Sequence, residues 1–231
     1  MLSIASLNIH QFLHREETLR ALKEADTDVF FLQEVPVSVI QELEQELEAT
    51  AVFVPMGNFS EVGEDVGLGI FTRRGLLIRS DEYLYHEGDR SHELSFTDCD
   101  RILQHVVIEK DGVAYRLGHT HFVWTPKGES DLRQFAAMEQ LLSFTDQFQD
   151  MILCGDFNAP RGKATWNMLT KKFTDNIPAS ETTTLDQVMH RATPIHYVVD
   201  GMFTKGKYTA HDVAVTPGAS DHMLITARIS A

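Results

Sequence analysis

The chain has 231 residues, 43% of them hydrophobic, which is enough to bury a sizeable core within one domain spanning residues 1–231. Lys and Arg total 20 against 34 Asp and Glu residues, so the formal net charge is −14. That sign argues against a protein that holds long nucleic acid mainly through counterion release, and it suits one that concentrates metal cations.

Cysteine content and the N-terminus limit the class of protein further. Cys99 and Cys154 belong to no close-spaced metal pattern, so neither a disulfide framework nor a structural zinc site is expected. The N-terminal residues lack a basic region and a cleavable apolar segment. No stretch approaches the roughly 20 apolar residues needed to span a bilayer. We therefore expect a cytoplasmic protein without membrane contact.

The first part of the chain predicts alternating strands and helices. A strand is expected over residues 2–8 and a helix over about 15–25, where leucines recur at helical spacing. The unbroken apolar run at 29–32 predicts a strand buried on both faces. A Glu-rich helix is expected over 37–49.

The rest of the chain predicts short strands, separated by turns with Gly and Asp, and two more helices. Ser130 or Asp131 can cap a long helix whose buried face is predicted to be Leu132, Phe135, Met138, Leu142 and Thr145. A second helix is expected near 164–172, and the predicted strands cover 51–54, 68–72, 102–108, 114–122, 151–154, 197–203, 211–215 and 223–229. These elements predict an α/β or α+β sandwich with helices outside.

The segment Gly155-Asp156-Phe157-Asn158 places an acid and an amide two positions apart at the end of an apolar strand. Alternate side chains of an extended chain share a face, so both can point into one site. Asp156 could orient or deprotonate a water, and Asn158 could hydrogen-bond a developing phosphoryl charge. Taken alone, the tetrapeptide is better explained as an Asp-containing turn.

Two further polar residues mark the C-terminal part. Asp200 lies within an apolar strand, where an unpaired carboxylate is costly. His222, in Ser220-Asp221-His222, could be its partner, which would hold the imidazole in one tautomer. Such a histidine could act as general acid, general base or metal ligand, although a simple turn explains Ser-Asp-His by itself.

Oxygen and imidazole ligands follow the other buried strands. Asn8 and Glu34 each come at the end of an apolar run, and a few oxygen ligands from neighbouring strands are what Mg²⁺ prefers. His119 and His121 are two residues apart near another strand end, a pattern that also suits zinc. No third His or Cys lies at a convincing spacing, so the oxygen-rich set favours Mg²⁺.

In their order along the chain, these motifs resemble those of the endonuclease/exonuclease/phosphatase superfamily. The matching blocks are the strand ending in Asn8, Leu32-Gln33-Glu34, Gly67 to Arg73, Thr120-His121, Gly155-Asp156-Phe157-Asn158, Asp200, and Ser220-Asp221-His222. Segments at 120–124, 175–178 and 182–186 are similar to bacterial members loosely akin to tyrosyl-DNA phosphodiesterases. Asn8-Ile9-His10, by contrast, lacks the continuation typical of abasic-site endonucleases.

The resemblance implies a four-layer αββα sandwich of two mixed β-sheets flanked by helices, with the site at one edge. It also implies Mg²⁺ or Mn²⁺ held chiefly by Glu34, with Asn8 and Asp221 close by.

Catalytic roles follow from the same resemblance. Asp156 would orient the attacking water and Asn158 the phosphoryl oxygen. His222, paired with Asp200, would stabilise charge or transfer a proton, and His121 would bind phosphate or serve the leaving group.

Candidate substrate contacts lie in loops beside these motifs. His10 could contact a phosphate, and Trp124 could stack on a base. Arg161 or Arg191 could bind a non-scissile phosphate, as could Lys127 or Lys163. A solvated loop charge or a half-buried indole is an equal alternative for each of them.

We expect hydrolysis of a phosphodiester by in-line attack of an activated water, at an end or damaged site of nucleic acid or in a small molecule. A phosphomonoesterase acting on a nucleotide, sugar or inositol phosphate is the nearest alternative. A non-catalytic binding module that keeps the fold is the alternative from another class. The expected partner is a phosphoester substrate, and no obligate protein partner is inferred.

Overall fold

Two mixed sheets of six strands each form the frame of the protein in the computed structural model, which describes residues 1–73, 75–89, 95–191 and 194–231. The first sheet consists of β1 (Leu2–Asn8), β2 (Val29–Pro36), β3 (Ala49–Phe59), β4 (Glu64–Arg73), β11 (Thr209–Thr216) and β12 (Leu224–Ser230). Their order is β11-β12-β1-β2-β4-β3. Neighbours are antiparallel except β1 and β2, which run parallel.

The second sheet has the same plan, with one parallel pair near its centre. It consists of β5 (Leu77–His86), β6 (Arg101–Lys110), β7 (Val113–His121), β8 (Met151–Asp156), β9 (Thr174–Asp175) and β10 (Asp200–Lys205). Their order is β5-β6-β7-β8-β10-β9, and the parallel pair is β7 and β8. A tight turn at Asp111 and Gly112, both with positive φ, joins β6 to β7.

Helices cover the outer faces of the paired sheets: α1 (Arg15–Ala25), α2 (Ile40–Glu46), α3 (Leu132–Thr145) and α4 (Ala164–Thr170). Period-2 alternation in β1 explains the layering, because Ala5 and Leu7 pack with α1 and α2 while Leu2 and Ile4 pack in the central cluster. That cluster joins side chains of both sheets with those of α3 and α4. The predicted four-layer αββα sandwich is therefore confirmed.

Two predicted helices differ in detail. The helix predicted over 37–49 is a 3-10 turn (Val37–Val39) followed by α2, and Glu48, with φ +50, interrupts it before β3. The helix α3 is capped by Asp131 as predicted, but Leu132 is 84% exposed. Met138, Leu142 and Thr145 are buried as predicted, and Gln134, Ala137 and Leu141 complete the buried face.

Strand predictions erred mainly at the sheet edges. β5, an edge strand, was not predicted, because the polar segment at residues 79–82 divides its apolar residues into two short groups. The strand predicted to begin at Tyr197 begins at Asp200. No helix in the described part of the chain is both long and apolar enough to cross a membrane.

Candidate active site

Strand direction explains why the distant motifs meet. The parallel pairs β1–β2 and β7–β8 both run towards the same edge of the sandwich, and the antiparallel strands β10 and β12 begin there. Hydrogen bonds and ion-pair contacts accordingly connect the predicted residues Asn8, His10, Glu34, His121, Asp156, Asn158, Asp200, Asp221 and His222 at this edge. A cavity of about 460 Å³ opens above them.

Gly155 permits the close contact of β7 and β8 just before Asp156. It has φ +149, and a Cβ atom there would lie 1.8 Å from the carbonyl oxygen of Thr120. Only glycine fits against this backbone. The resulting register pairs His121 with Asp156 at the strand ends.

His222 lies between two buried carboxylates. Its Nδ1 is 2.9 Å from Oδ2 of Asp200, and its Nε2 is 3.8 Å from Oδ2 of Asp156. Burial by itself would lower the pKa of His222, but Asp200 and Asp156 overcome that effect and raise it well above 6.5. The Oγ1 atom of Thr184 accepts the backbone N–H of Asp200 and so helps to fix this carboxylate. The imidazolium is therefore held in one orientation, with Nε2 towards Asp156.

Glu34 reaches the site through an irregularity in β2. The register with β4 shifts between Leu32 and Val35, and Glu34 adopts φ +56. Its Oε1 accepts a hydrogen bond of 3.1 Å from Asn8 Nδ2, and its Oε2 accepts one of 2.7 Å from Gln11 Nε2. Both carboxylate oxygens are thereby held in place while the residue lines the cavity.

Asn8 connects the two carboxylates. Its Nδ2 also donates to Asp156 Oδ2 at 3.3 Å, and its Oδ1 accepts the backbone N–H of His10 at 3.0 Å. In this arrangement the amide nitrogen faces Glu34 and Asp156, and the amide oxygen faces the backbone N–H of His10. Asn8 therefore orients the two carboxylates, and its expected role as a metal ligand stays a prediction.

His121 is a neutral imidazole at the cavity floor. Burial lowers its pKa well below 6.5, and the nearby Arg101 guanidinium adds to this effect. Its Nε2 lies 3.5 Å from Asp156 Oδ2. Arg101 is itself buried and donates to the carbonyl oxygen of His121, which holds this strand end.

His119 does not form a zinc pair with His121. It is fully buried between the sheets, with Nε2 2.6 Å from Gln33 Nε2 and Nδ1 3.1 Å from Gln104 Oε1. Because the amide oxygen of Gln104 accepts and the amide nitrogen of Gln33 donates, Nδ1 carries the proton. Both ring nitrogens are engaged, so His119 cannot ligate a metal.

Asn158 retains a donor for a ligand. Its backbone has φ +50 and donates to Asp156 Oδ1 at 2.8 Å. One side-chain N–H bonds the carbonyl oxygen of Phe122 at 3.0 Å. An amide group has two donors, so the second N–H is available at the cavity, which Asn158 lines.

The donor set fits a hard divalent cation. Glu34, Asp156 and Asp221 all line the cavity, and burial raises the pKa of Asp156 to about 7 against the opposing charge of His222. Ligand atoms of Asp156, Asp200 and His222 also lie within 4.8 Å of one another, but His222 lies between these two carboxylates. The oxygens open to Mg²⁺ or Mn²⁺ are therefore those on the Glu34 and Asp221 side.

The predicted substrate residues divide into two groups. His10, Trp124 and Arg191 line the cavity, and His10 Nδ1 lies 3.4 Å from Asp221 Oδ2. Arg161 does not line it. Its guanidinium donates to both carboxylate oxygens of Asp175 and to the carbonyl oxygens of Ile177, Pro178 and Glu181. The substrate-binding role expected for Arg161 is thus corrected to a structural one, because its donors are already in use.

Several cavity residues were not predicted from the sequence, and three of them are Gln11, His190 and Tyr197. Gln11 follows Asn8 on a turn of consecutive positive-φ residues, which no periodic pattern signals. His190 lies on an irregular segment, with its ring centroid 6.2 Å from that of His222. Tyr197, expected in a strand, lies on the rim. Only tertiary contacts bring these residues to the site.

The family follows from these features. The pattern of the Endonuclease/Exonuclease/phosphatase family matches residues 5–222, and the chain belongs to this family, whose members are phosphoester hydrolases. Among curated protein sequences, none matches the chain.

Solved structures show the same fold at low sequence identity. A functionally unknown conserved protein from Enterococcus faecalis has a TM-score of 0.76 at 17% identity, with 100% of both chains covered. A mannosyl-6-phosphatase from Bacteroides thetaiotaomicron has a TM-score of 0.75 at 14% identity, again with 100% of both chains covered. TDP2 of D. rerio, complexed with a single-strand DNA product, has a TM-score of 0.73 at 17% identity, with 100% of this chain and 99% of that chain covered.

Proposed function

We propose that the protein is a divalent-metal-dependent hydrolase of phosphodiester bonds, acting by in-line attack of an activated water. The observation that carries this proposal is the position of His222 between Asp200 and Asp156 at a cavity lined by Glu34. It combines a fixed acid, a buried carboxylate base and a candidate cation site within one family of phosphoester hydrolases. A cytoplasmic location is part of the same proposal.

Each residue has a distinct part in the reaction. Asp156, with a pKa of about 7, orients the water and takes its proton as the new P–O bond forms. His222 gives its Nε2 proton to the leaving oxygen as the other P–O bond breaks. Asn158 donates its second N–H to a phosphoryl oxygen, and His121 binds a second one.

A divalent cation held by Glu34 and Asp221 would supply Lewis-acid stabilisation of the phosphoryl charge. Asn8 and Gln11 keep Glu34 oriented for this purpose through their hydrogen bonds. Residues that hydrogen-bond a metal ligand in this way typically raise metal affinity by about 10- to 100-fold.

The test is hydrolysis of bis(p-nitrophenyl) phosphate, a diester, beside p-nitrophenyl phosphate, a monoester, with Mg²⁺, Mn²⁺ or EDTA. We expect the diester to be the faster substrate and EDTA to abolish both rates. Preferential cleavage of the monoester would instead establish the phosphomonoesterase. A metal-dependent rise in Tm that Glu34→Gln removes would locate the cation independently of turnover.

The binding-module alternative makes the opposite prediction. It requires that no phosphoester be hydrolysed with either metal and that Asp156→Asn change nothing measurable. We expect Asp156→Asn to lower kcat by at least about 100-fold, because it removes the group that accepts the proton.

A further inference from the structure

The cavity is lined by aromatic residues as well as by carboxylates and histidines. Phe96, Trp124 and Tyr197, called the rim here, line it together with Leu185 and Ile195. Trp124 is 40% exposed, whereas tryptophan side chains are highly buried on average. Aromatic side chains next to a phosphoryl site can stack on a flat ring of the substrate.

Cations beside the cavity in sequence are mostly neutralised. Arg133 pairs with Asp131 at 3.0 Å, and Lys163 pairs with Glu129. Arg161, as described above, is occupied by Asp175. These side chains therefore form no positive track leading away from the site.

Lys127 and Arg191 are the exceptions. Both line the cavity, and neither makes an ion pair within residues 1–73, 75–89, 95–191 and 194–231. They are the Lys and Arg residues among the described residues that line it. Two cations are enough for one phosphoryl group or one additional anionic group, but not for the several phosphates of a polymer.

The turn that carries Lys127 is built into the structure. Lys127 has φ +58 within the 3-10 turn Pro126–Gly128, and the N–H of Gly128 bonds the carbonyl oxygen of Thr125 at 3.1 Å. A Cβ atom at Gly128 would lie 2.4 Å from Pro160 and 3.8 Å from Tyr197. This packing fixes the backbone of the turn that carries Lys127 and brings it next to Tyr197.

We propose that the site takes a small, ring-bearing phosphoester of about mononucleotide size, with its phosphate beneath Lys127 and Arg191 and its ring against Trp124. This inference rests on the proposed function and specifies its substrate class. The cavity of about 460 Å³ is in the range that encloses a small molecule. The net charge of −14 also favours a small substrate, because it repels a long polyanion.

The test compares three diesters with the best metal: thymidine 5′-p-nitrophenyl phosphate, ring-free glycerophosphoethanolamine and a single-stranded oligonucleotide. We expect kcat/KM to be highest for the thymidine ester. Trp124→Ala should lower that value about fivefold or more, since a stacked base contributes about 1–3 kcal/mol, and leave the ring-free diester within about twofold. Trp124→Phe should restore most of the loss.

Charge variants test the other half of the inference. Lys127→Gln and Arg191→Gln should each raise KM for both small diesters, whereas the matched controls Arg133→Gln and Lys163→Gln should not. A higher kcat/KM for the oligonucleotide, with steep loss in salt, would overturn the proposal. So would an equal effect of Trp124→Ala on the ring-bearing and ring-free diesters.

A binding measurement separates this inference from the proposed function. Trp124 is exposed and Trp166 is buried, and they are the 2 tryptophans of the chain. Thymidine 5′-monophosphate should quench the fluorescence of Trp124 saturably, and glycerol phosphate should not. This result would support the ring site even if no diester were hydrolysed; absence of quenching by the nucleotide would refute it.

Discussion

At the scale of single residues, His222 has the most direct consequence for activity. We expect His222→Ala to lower kcat by at least about tenfold, since general acid–base groups typically contribute about 10²- to 10⁴-fold. His211→Ala, at an exposed strand position, is the matched control and should retain full activity. Equal activity of the two variants in the diester assay would rule out the proton-transfer role.

Gly155 leads to a prediction about stability. A methyl group there would meet the Thr120 carbonyl oxygen at 1.8 Å, so Gly155→Ala should lower the free energy of unfolding by about 2 kcal/mol or more. Gly112→Ala is the control: Gly112 also has a positive φ, of +74, but nothing lies within 4 Å of its Cβ position. Urea unfolding should show the larger loss at Gly155; equal losses would mean that β8 moves to accommodate the methyl group.

At the scale of elements, the hydrogen bonds of His119 join the two sheets beneath the site. Gln33 comes from β2 and directly precedes Glu34, while Gln104 comes from β6 and also bonds the carbonyl oxygen of Val52 in β3. This polar bridge connects the strand that carries the carboxylate of Glu34 with β7, which carries His121. The bridge therefore links the two sheets close to the contacts among the candidate site residues.

Burial of His119 should make stability depend on pH. Burial lowers its pKa from 6.5 to about 3, so the unfolded chain binds one more proton than the folded chain between these values. The contribution of neutral His119 to the free energy of unfolding is complete above pH 6.5. It falls by about 1.4 kcal/mol per pH unit as the pH drops towards 3. Urea unfolding of His119→Gln between about pH 4 and 6 should show a correspondingly shallower slope. An unchanged slope would contradict this account.

The sequence predicted strands correctly where an apolar run forms the buried part of a strand in the folded protein. The apolar runs of β1, β2 and β8 and the polar residues that follow them were predictable, because strand ends supply the site directly. Edge strand β5 was not, since the polar residues 79–82 interrupt its apolar pattern. The face of α3 was predicted only in part: Gln134 was missed because it is buried by hydrogen bonds to the carbonyl oxygens of Val123 and Asn158, not by hydrophobicity.

The rim was the least predictable part of the site. Lys127, Arg161 and Arg191 look alike in the sequence, as loop cations beside motifs. Asp175 engages Arg161, whereas the other two line the cavity without an ion pair among the described residues. This difference depends on loop packing, which no local pattern encodes.

At the scale of the whole molecule, the two sheets share one core. The central cluster includes Ile4 and Phe31 from the first sheet and Leu117 and Ile152 from the second. We therefore propose that the chain is one cooperative domain. Calorimetry should show a single transition whose van't Hoff and calorimetric enthalpies agree. Two separable transitions would show that the sheets unfold independently.

The hairpin turn at Asp111 and Gly112 has a practical consequence for handling the protein. β7 runs from Val113 to His121, so the turn lies about 26 Å from the site at roughly 3.3 Å per residue. An affinity tag or surface anchor inserted there would leave the cavity mouth facing solution. Immobilised in that orientation, the protein could be screened against small phosphoesters in flow without blocking its own entrance.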